Sequence, residues 1–168
     1  MLNCHKEKSY WQKNGKIDDN LLFGLLNQPS SPPMRSETKN TTIRRYTAAD
    51  EDILFSLIEA EGEEWRDYWQ GEGRRKYAKA LMNSTCYLIF EGETLCGFVR
   101  CRDDDGFGVY VYDLLVDRNH RGKGYGHMLM TQACKDFPNS TVYAMSDVDP
   151  YYEKQGYERI GSIFKVKR

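Results

Sequence analysis

Residues 117–126 read Asp-Arg-Asn-His-Arg-Gly-Lys-Gly-Tyr-Gly, and the segments on either side of this stretch decide the fold. Residues 109–116 before it, VYVYDLLV, have the apolar and aromatic composition of a strand. After it, apolar residues recur at helical spacing until Pro138, and these are Tyr125, Met128, Leu129, Ala133 and Phe137. The stretch is therefore predicted to be a turn that joins a strand to a helix.

This turn has the composition of an anion site. Its glycines, Gly122, Gly124 and Gly126, permit a tight backbone turn and the close approach of a ligand. The first N–H groups of the following helix have no partners within the helix, and the helix dipole adds to their attraction for an anion. Arg121 and Lys123 contribute positive charge. A plain glycine-rich surface turn is the alternative, and the nucleoside-triphosphate and Rossmann spacings are both absent from the sequence.

The rest of the chain alternates strand and helix signals. We predict strand 42–46, a helix capped by Asp50, a helical stretch over 63–82 that Gly71 and Gly73 interrupt, an antiparallel meander of strands 85–91, 94–102 and 109–116, helix 125–137, strand 141–145, a helix with Asp149 as its cap, and strand 157–166. Three aromatic residues of the second helix, Trp65, Tyr68 and Trp69, are expected to pack in the core rather than form a wall around a ligand.

Residues 1–40 differ from this pattern. They are polar and proline-containing, with one apolar patch at residues 21–26. We interpret them as an N-terminal arm, either docked through a short helix or flexible, that precedes a single domain of residues 41–168.

Composition limits the class of protein. The 24 Lys and Arg residues are balanced by 25 Asp and Glu residues, so we expect neither nucleic acid nor a membrane as a partner. Five cysteines, an odd number without zinc or redox spacing, indicate free thiols, and no apolar run is long enough to span a membrane. We therefore expect a soluble, cytoplasmic protein. His120 and His127 flank the turn without a third ligand near them in the sequence, so no metal site is predicted.

Two motifs give the chain a resemblance to the GNAT acetyltransferase superfamily. Arg121, Gly124 and Gly126 match its signature [RQ]-x-x-G-x-[GA], and residues 151–157, YYEKQGY, are similar to its later F-Y-E-K-x-G-F element. The resemblance covers roughly residues 42–167. It implies an α/β (α+β) fold with a mixed, mostly antiparallel central sheet flanked by helices, in which the fourth and fifth strands splay apart.

The same resemblance implies acetyl-CoA as co-substrate. Its pantetheine arm would bond to strand backbone, and its pyrophosphate would bind the N–H groups of residues 122–127, with Arg121 or Lys123 near the phosphates. The implied cofactor-binding residues are Leu114, Leu115, Val116, Arg121, Gly122, Lys123, Gly124, Tyr125, Gly126 and His127.

Acetyl transfer to a primary amine also needs groups that move protons. The resemblance implies Tyr152 as the acid that protonates the departing sulfur, with packing beside Tyr151 as the alternative. Asp113 is one candidate base, and strand alternation places it on one face with Val109, Val111 and Leu115.

Other proton acceptors stay open at this stage. Glu63, Glu64 or a chain of waters are alternatives to Asp113. Many relatives carry an asparagine or an acidic residue after the fifth strand, where this chain has Ser146 and Asp147. The acceptor is expected to be a small-molecule amine, a peptide or a protein, and the chain a monomer or homodimer. A non-catalytic acyl-CoA-binding module and a nucleotide-binding protein are the competing hypotheses.

Overall fold

A computed structural model describes residues 40–146 and 148–166. In chain order the elements are β1 (Thr41–Arg45), α1 (Glu51–Ala60), α2 (Arg66–Trp69), α3 (Gly71–Met82), β2 (Thr85–Glu91), β3 (Thr94–Asp103), β4 (Val109–Val116), α4 (Tyr125–Asp136), β5 (Val142–Ala144) and α5 (Asp149–Lys154). Short 3-10 turns lie at Ala48–Asp50, Glu63–Trp65 and Arg118–His120. The predicted N-terminal arm, except Asn40, lies outside the described residues, as does Asp147. None of the described helices has the length and hydrophobicity that a membrane crossing requires.

The sheet follows the order of the chain. Its strands are arranged β1-β2-β3-β4-β5, with antiparallel pairing from β1 to β4 and parallel pairing between β4 and β5. The parallel pair needs a crossover connection, and the segment containing α4 provides it. The predicted mixed, mostly antiparallel sheet flanked by helices is therefore confirmed.

Each face of the sheet has its own apolar layer. On one face α1 and α3 pack against strand residues that include Leu88, Phe98 and Leu115. The three aromatic residues predicted to be core, Trp65, Tyr68 and Trp69, are partly buried against this layer. On the other face α4 packs against Ile89, Val99, Val109 and Val111. Burying each such side chain contributes about 1.5–3 kcal/mol, so both layers hold the sheet between helices.

A β-bulge at Tyr112 changes which face β4 presents. Arg100 of β3 pairs with Asp113, whereas the next residue, Cys101, pairs with Val111. Tyr112 is the extra residue, and the alternation of side chains shifts there by one position. Val109 and Val111 consequently face α4, while Asp113 and Leu115 face α1 and α3. The prediction that all four residues share one face is wrong for this reason.

Three other local predictions differ from the structure in detail. The helical stretch 63–82 is a 3-10 turn followed by α2 and α3, so the predicted interruption at Gly71, which has a φ of 55°, is confirmed, whereas Gly73 lies within α3. The last helix begins at Asp149 itself, preceded by Val148 as its cap residue. Asp50 does precede α1, but its carboxylate accepts hydrogen bonds from Thr47 rather than from the N–H groups of the helix.

The predicted strand 157–166 is irregular in the structure. Its apolar side chains are exposed by 68–87%, and these are Ile160, Ile163, Phe164 and Val166. A strand requires a neighbouring strand for its hydrogen bonds, and within residues 40–146 and 148–166 none runs beside this segment. The apolar pattern alone was not sufficient to form one.

Candidate active site

The parallel pairing of β4 and β5 ends partway along β4. It consists of Val109 with Val142, Tyr110 with Tyr143 and Val111 with Ala144, after which the Met145 N–H donates to the Val111 carbonyl at 3.0 Å. The rings of Tyr110 and Tyr143 stack with centroids 5.3 Å apart at the paired end. β4 continues to Val116, so the described part of the chain leaves an opening beside residues 112–116. This is the predicted splay between the fourth and fifth strands.

The ladder with β3 determines which backbone groups of β4 face the opening. The Asp117 N–H donates to the Cys96 carbonyl at 2.9 Å. Because the bonds of an antiparallel ladder alternate along a strand, the peptide groups of Leu115 also point toward β3. Those of Leu114 and Val116 point the other way. Of the three predicted backbone partners, Leu114 and Val116 therefore direct their peptide groups into the opening, whereas Leu115 directs its groups into the sheet.

The glycine turn connects this opening to the start of α4. Gly122 and Gly124 have φ angles of 78° and 82°, which L-amino acids with side chains rarely adopt, and a Cβ atom at either would meet nothing within 4 Å. The first bond within the helix runs from the Met128 N–H to the Gly124 carbonyl at 3.0 Å. The N–H groups of residues 125–127 precede that bond and have no acceptor within the helix. The turn itself and His127 are exposed, whereas Tyr125 and Gly126 at the start of α4 are buried.

Both predicted cations lie at the turn, and carboxylates hold both. Arg121 donates through Nε to the Val116 carbonyl at 3.0 Å and through a terminal nitrogen to Glu61 at 2.8 Å. Arg118 also contacts Glu61, which is buried at the end of α1. Lys123 donates to Glu91 at 3.0 Å, and this hydrogen bond raises the pKa of its ammonium. The sequence offered no signal for Glu61 or Glu91, because neither lies near the turn along the chain.

The two tyrosines of α5 pack against each other, and Tyr151 also contacts the start of α4. Tyr152 is half-buried, and the ring of Tyr151 meets it edge-on with centroids 5.0 Å apart. The hydroxyl of Tyr151 lies over Gly126 so closely that a Cβ atom there would overlap it. Burial raises the pKa of Tyr151. The sequence indicates Tyr151 only as a packing neighbour of Tyr152, yet the Tyr151 hydroxyl contacts the start of α4.

Asp113 is buried in a polar network on the face of the sheet that α3 covers. Its Oδ2 accepts hydrogen bonds from the Tyr77 hydroxyl at 2.8 Å and from Arg100 Nε at 2.5 Å. Burial and the neighbouring charge of Asp113 raise the pKa of Tyr77 well above its ordinary range. The candidate base is therefore already an acceptor for two donors inside the protein.

The other acceptor-side candidates are exposed. Glu63 pairs with Arg66 at 3.1 Å, and Glu64 is exposed in the same 3-10 turn. Ser146 accepts a hydrogen bond from the Val148 N–H at 3.0 Å after β5. The structure does not gather these side chains around one point.

Comparison with known proteins agrees with this arrangement. The family model described as "Acetyltransferase (GNAT) family" matches residues 51–157, so the chain belongs to the GNAT acetyltransferase family. The structure of the GNAT family acetyltransferase SP0256 from Streptococcus pneumoniae TIGR4 shares the fold. It has a TM-score of 0.60 and 24% identity, covering 77% of this chain and 100% of that one.

The curated relatives align over different shares of the chain. "Histone acetyltransferase TAP1" of Glycine max is 33% identical over 109 residues, which cover 54% of this chain and 46% of that protein. "Uncharacterized N-acetyltransferase ycf52" of Gracilaria tenuistipitata var. liui is 24% identical over 168 residues, covering 89% of each chain. The chain matches less than half the length of the Glycine max relatives.

Proposed function

We propose that this protein is an acetyl-CoA-dependent N-acetyltransferase that acts on a primary amine of a small molecule, a peptide or a protein. The observation that carries the proposal is the opening between β4 and β5, which leads directly to the glycine turn and the start of α4. It combines an edge of β4 that is unpaired in the described part of the chain with the N-terminus of α4. The strand edge suits the amides of the pantetheine arm, and the helix N-terminus suits the pyrophosphate.

The residues present fit that co-substrate. The peptide groups of Leu114 and the N–H of Val116 suit the amides of a pantetheine arm, because they are directed into the opening. The Val116 carbonyl already accepts a hydrogen bond from Arg121 Nε at 3.0 Å. The backbone donors of the turn suit a pyrophosphate, since no described side chain lies against Gly122 or Gly124. The Tyr151 hydroxyl, in contrast, lies over Gly126 at the start of α4. Arg121 braces the turn by joining Val116 to Glu61, and Lys123 supplies an exposed positive charge.

Transfer requires one bond to form and one to break. Bound acetyl-CoA supplies a thioester carbonyl that a neutral amine attacks, so a carbon–nitrogen bond forms and the carbon–sulfur bond breaks. The amine gives up a proton and the sulfur gains one. Tyr152 is proposed as the donor to the sulfur, because it matches the tyrosine of the family motif and lies beside Tyr151, and because a phenol holds its proton at neutral pH.

Asp113 takes a different part in this proposal from the one that its sequence position suggested. Two donors already occupy its Oδ2, and its side chain faces α3 rather than the α4 face. We infer that it is a positioning residue that holds β4 beside the bulge. The proton of the amine then leaves through water or through a carboxylate on the acceptor side.

The names of the relatives guide the choice of acceptors. The Gracilaria relative is named an N-acetyltransferase and the Glycine max relative a histone acetyltransferase. Lysine-containing peptides therefore belong beside small amines and polyamines in any panel.

The experiment pairs calorimetry with a consumption assay. The full-length protein is titrated with coenzyme A and with ATP, and acetyl-CoA consumption is then measured across the amine panel. Tyr152→Phe is compared with Tyr110→Phe, a matched change at the paired end of β4. We expect coenzyme A to bind, ATP not to bind, and Tyr152→Phe alone to lower the turnover by about 10²-fold or more with nearly unchanged affinity.

Two outcomes would contradict the proposal. Coenzyme A binding without turnover on any amine would identify a non-catalytic acyl-CoA-binding module. ATP binding in place of coenzyme A would identify a nucleotide-binding protein.

A further inference from the structure

The fold brings three potential metal ligands together beside the glycine turn. A carboxylate oxygen of Glu91, the Sγ of Cys96 and a ring nitrogen of His120 all lie within 4.8 Å of one another. They come from the end of β2, the start of β3 and the 3-10 turn after β4. Strand pairing thus places beside His120 two potential ligands that lie far from it along the sequence.

We propose that Glu91, Cys96 and His120 form a binding site for a divalent transition metal ion, with Zn²⁺ as the natural occupant. Carboxylate, thiolate and imidazole are the three ligand types that zinc uses in proteins. Zinc–ligand bonds of about 2.0–2.3 Å at tetrahedral angles place two ligand atoms about 3.3–3.8 Å apart. The His120 Nε2 to Glu91 Oε2 distance is already 3.5 Å.

A second carboxylate orients the histidine. The Nδ1 of His120 lies 2.6 Å from Asp117 Oδ1, and Asp117 also accepts from the Asn119 N–H at 3.0 Å. With Nδ1 as the donor in this hydrogen bond, the lone pair lies on Nε2, the nitrogen that faces Glu91. A carboxylate behind a ligating histidine is the usual arrangement at zinc sites.

Metal binding would replace the present contacts of Glu91 and Cys96. Lys123 leaves Glu91, which it now contacts at 3.0 Å, and the Cys96 thiol, now directed at the Thr94 carbonyl at 3.4 Å, loses its proton to solvent as the metal–sulfur bond forms. Solvent reaches the site through a pocket of about 280 Å³, lined by Asn40, Glu91, Gly92, Thr94 and His120. Water from this pocket fills the fourth position. The ion would then tie the β2–β3 hairpin to the turn.

Cobalt(II) is the probe, because a cobalt–thiolate bond absorbs in the near ultraviolet. The metal-free, reduced, full-length protein is titrated with Co²⁺ and then with competing Zn²⁺. Cys96→Ser is compared with Cys134→Ser, which removes an exposed thiol of α4 outside the cluster. We expect one equivalent of cobalt to give the thiolate band, zinc to displace it, Cys96→Ser to abolish it and Cys134→Ser to retain it.

Two further variants make the test independent of how Cys96→Ser folds. Asp117→Asn is expected to weaken zinc binding about 10–100-fold, the usual effect of losing a second-shell carboxylate. Lys123→Met is expected to strengthen it about two- to fivefold, because it removes a competing surface ion pair. The proposal is overturned by the absence of a thiolate band at one equivalent of cobalt, by a band that survives Cys96→Ser, or by zinc affinity that is unchanged in both further variants.

Discussion

The carboxylate of Asp113 on β4 accepts a hydrogen bond from Nε of Arg100 on β3 at 2.5 Å, and the two side chains are 6% and 12% exposed. The two residues are direct partners in the β3–β4 register, immediately beside the bulge at Tyr112. The Tyr77 hydroxyl adds a third member from α3. Because each charge satisfies the other where water has little access, the pair fixes the position of β4 where the opening begins.

Replacing Asp113 by Asn is expected to lower the free energy of unfolding by about 3–5 kcal/mol, because it leaves the Arg100 guanidinium without its counter-charge. Tyr77→Phe removes one hydrogen bond and is expected to lower it by about 1 kcal/mol. Urea denaturation at pH 7 measures both. Equal, small losses of unfolding free energy in the two variants would mean that the Asp113–Arg100 ion pair does not stabilise the fold.

The pH–rate profile separates a positioning role from a role as general base. A base at Asp113 would make the acidic limb of kcat/KM disappear in Asp113→Asn, measured at a temperature where the variant is folded. The positioning role predicts a lower rate with the acidic limb at the same pH. Loss of the acidic limb in Asp113→Asn would instead identify Asp113 as the group that takes the proton of the amine.

Local sequence was sufficient to predict the strand, turn and helix around residues 117–126. Glycine spacing, the apolar repeat of α4 and Pro138 each act within a few residues, so they are visible in the chain. The bulge at Tyr112 left no such mark, because one inserted residue changes the register but not the composition. That single residue moved Asp113 to the other face of the sheet.

The contacts that shape the site come from far along the chain. Arg121 and its partner Glu61 are 60 residues apart, and Lys123 and Glu91 are 32 residues apart. Only the folded domain, with α1 packed on the sheet, brings these side chains together. Residues 157–166 show the converse, since their apolar pattern predicts a strand, but this prediction is wrong because no strand of the described chain pairs with them.

Asp50 is expected to make stability depend on acid pH. The hydrogen bond from Arg44, with others from Thr47, lowers the pKa of Asp50 to about 2 from 3.8. A lowered pKa in the folded state stabilises the protein above the unfolded value and loses that effect as the pH falls from about 4 to about 2. Asp50→Asn should therefore cost about 2 kcal/mol at pH 7 and progressively less below pH 4.

Asp52→Asn is the matched control for that measurement. Asp52 lies in the first turn of α1 and pairs with Arg74 at 2.9 Å, but its side chain is 98% exposed. We expect its effect to stay below about 1 kcal/mol. Denaturation curves between pH 2 and pH 7 compare the two variants, and equal losses would contradict the assigned role of Asp50.

The close approach of Tyr151 to Gly126 predicts that Gly126→Ala lowers the free energy of unfolding in the native protein but not in a variant without the tyrosine. Gly126→Ala is expected to destabilise by about 1–3 kcal/mol, because the added Cβ overlaps the Tyr151 hydroxyl. In a Tyr151→Leu background the obstacle is gone, and alanine in α4 is then expected to be neutral or stabilising by up to about 1 kcal/mol. Gly161→Ala, where a Cβ meets nothing within 4 Å, is the control. Additive effects in this double-mutant cycle would contradict the contact.

Glu61 tests whether Arg121 braces the turn or binds phosphate directly. Arg121 spans from the Val116 carbonyl to the buried Glu61 carboxylate, so it holds the turn in the shape that presents its N–H groups. Glu61→Gln weakens this brace, and we expect the affinity for coenzyme A to fall about tenfold, equivalent to about 1.4 kcal/mol. Arg118→Gln removes another partner of Glu61 but leaves the hydrogen bond from Arg121 to the Val116 carbonyl intact, so it should lower the affinity less. If Glu61 instead withholds Arg121 from the phosphates, Glu61→Gln will bind coenzyme A more tightly, and calorimetry distinguishes the two signs.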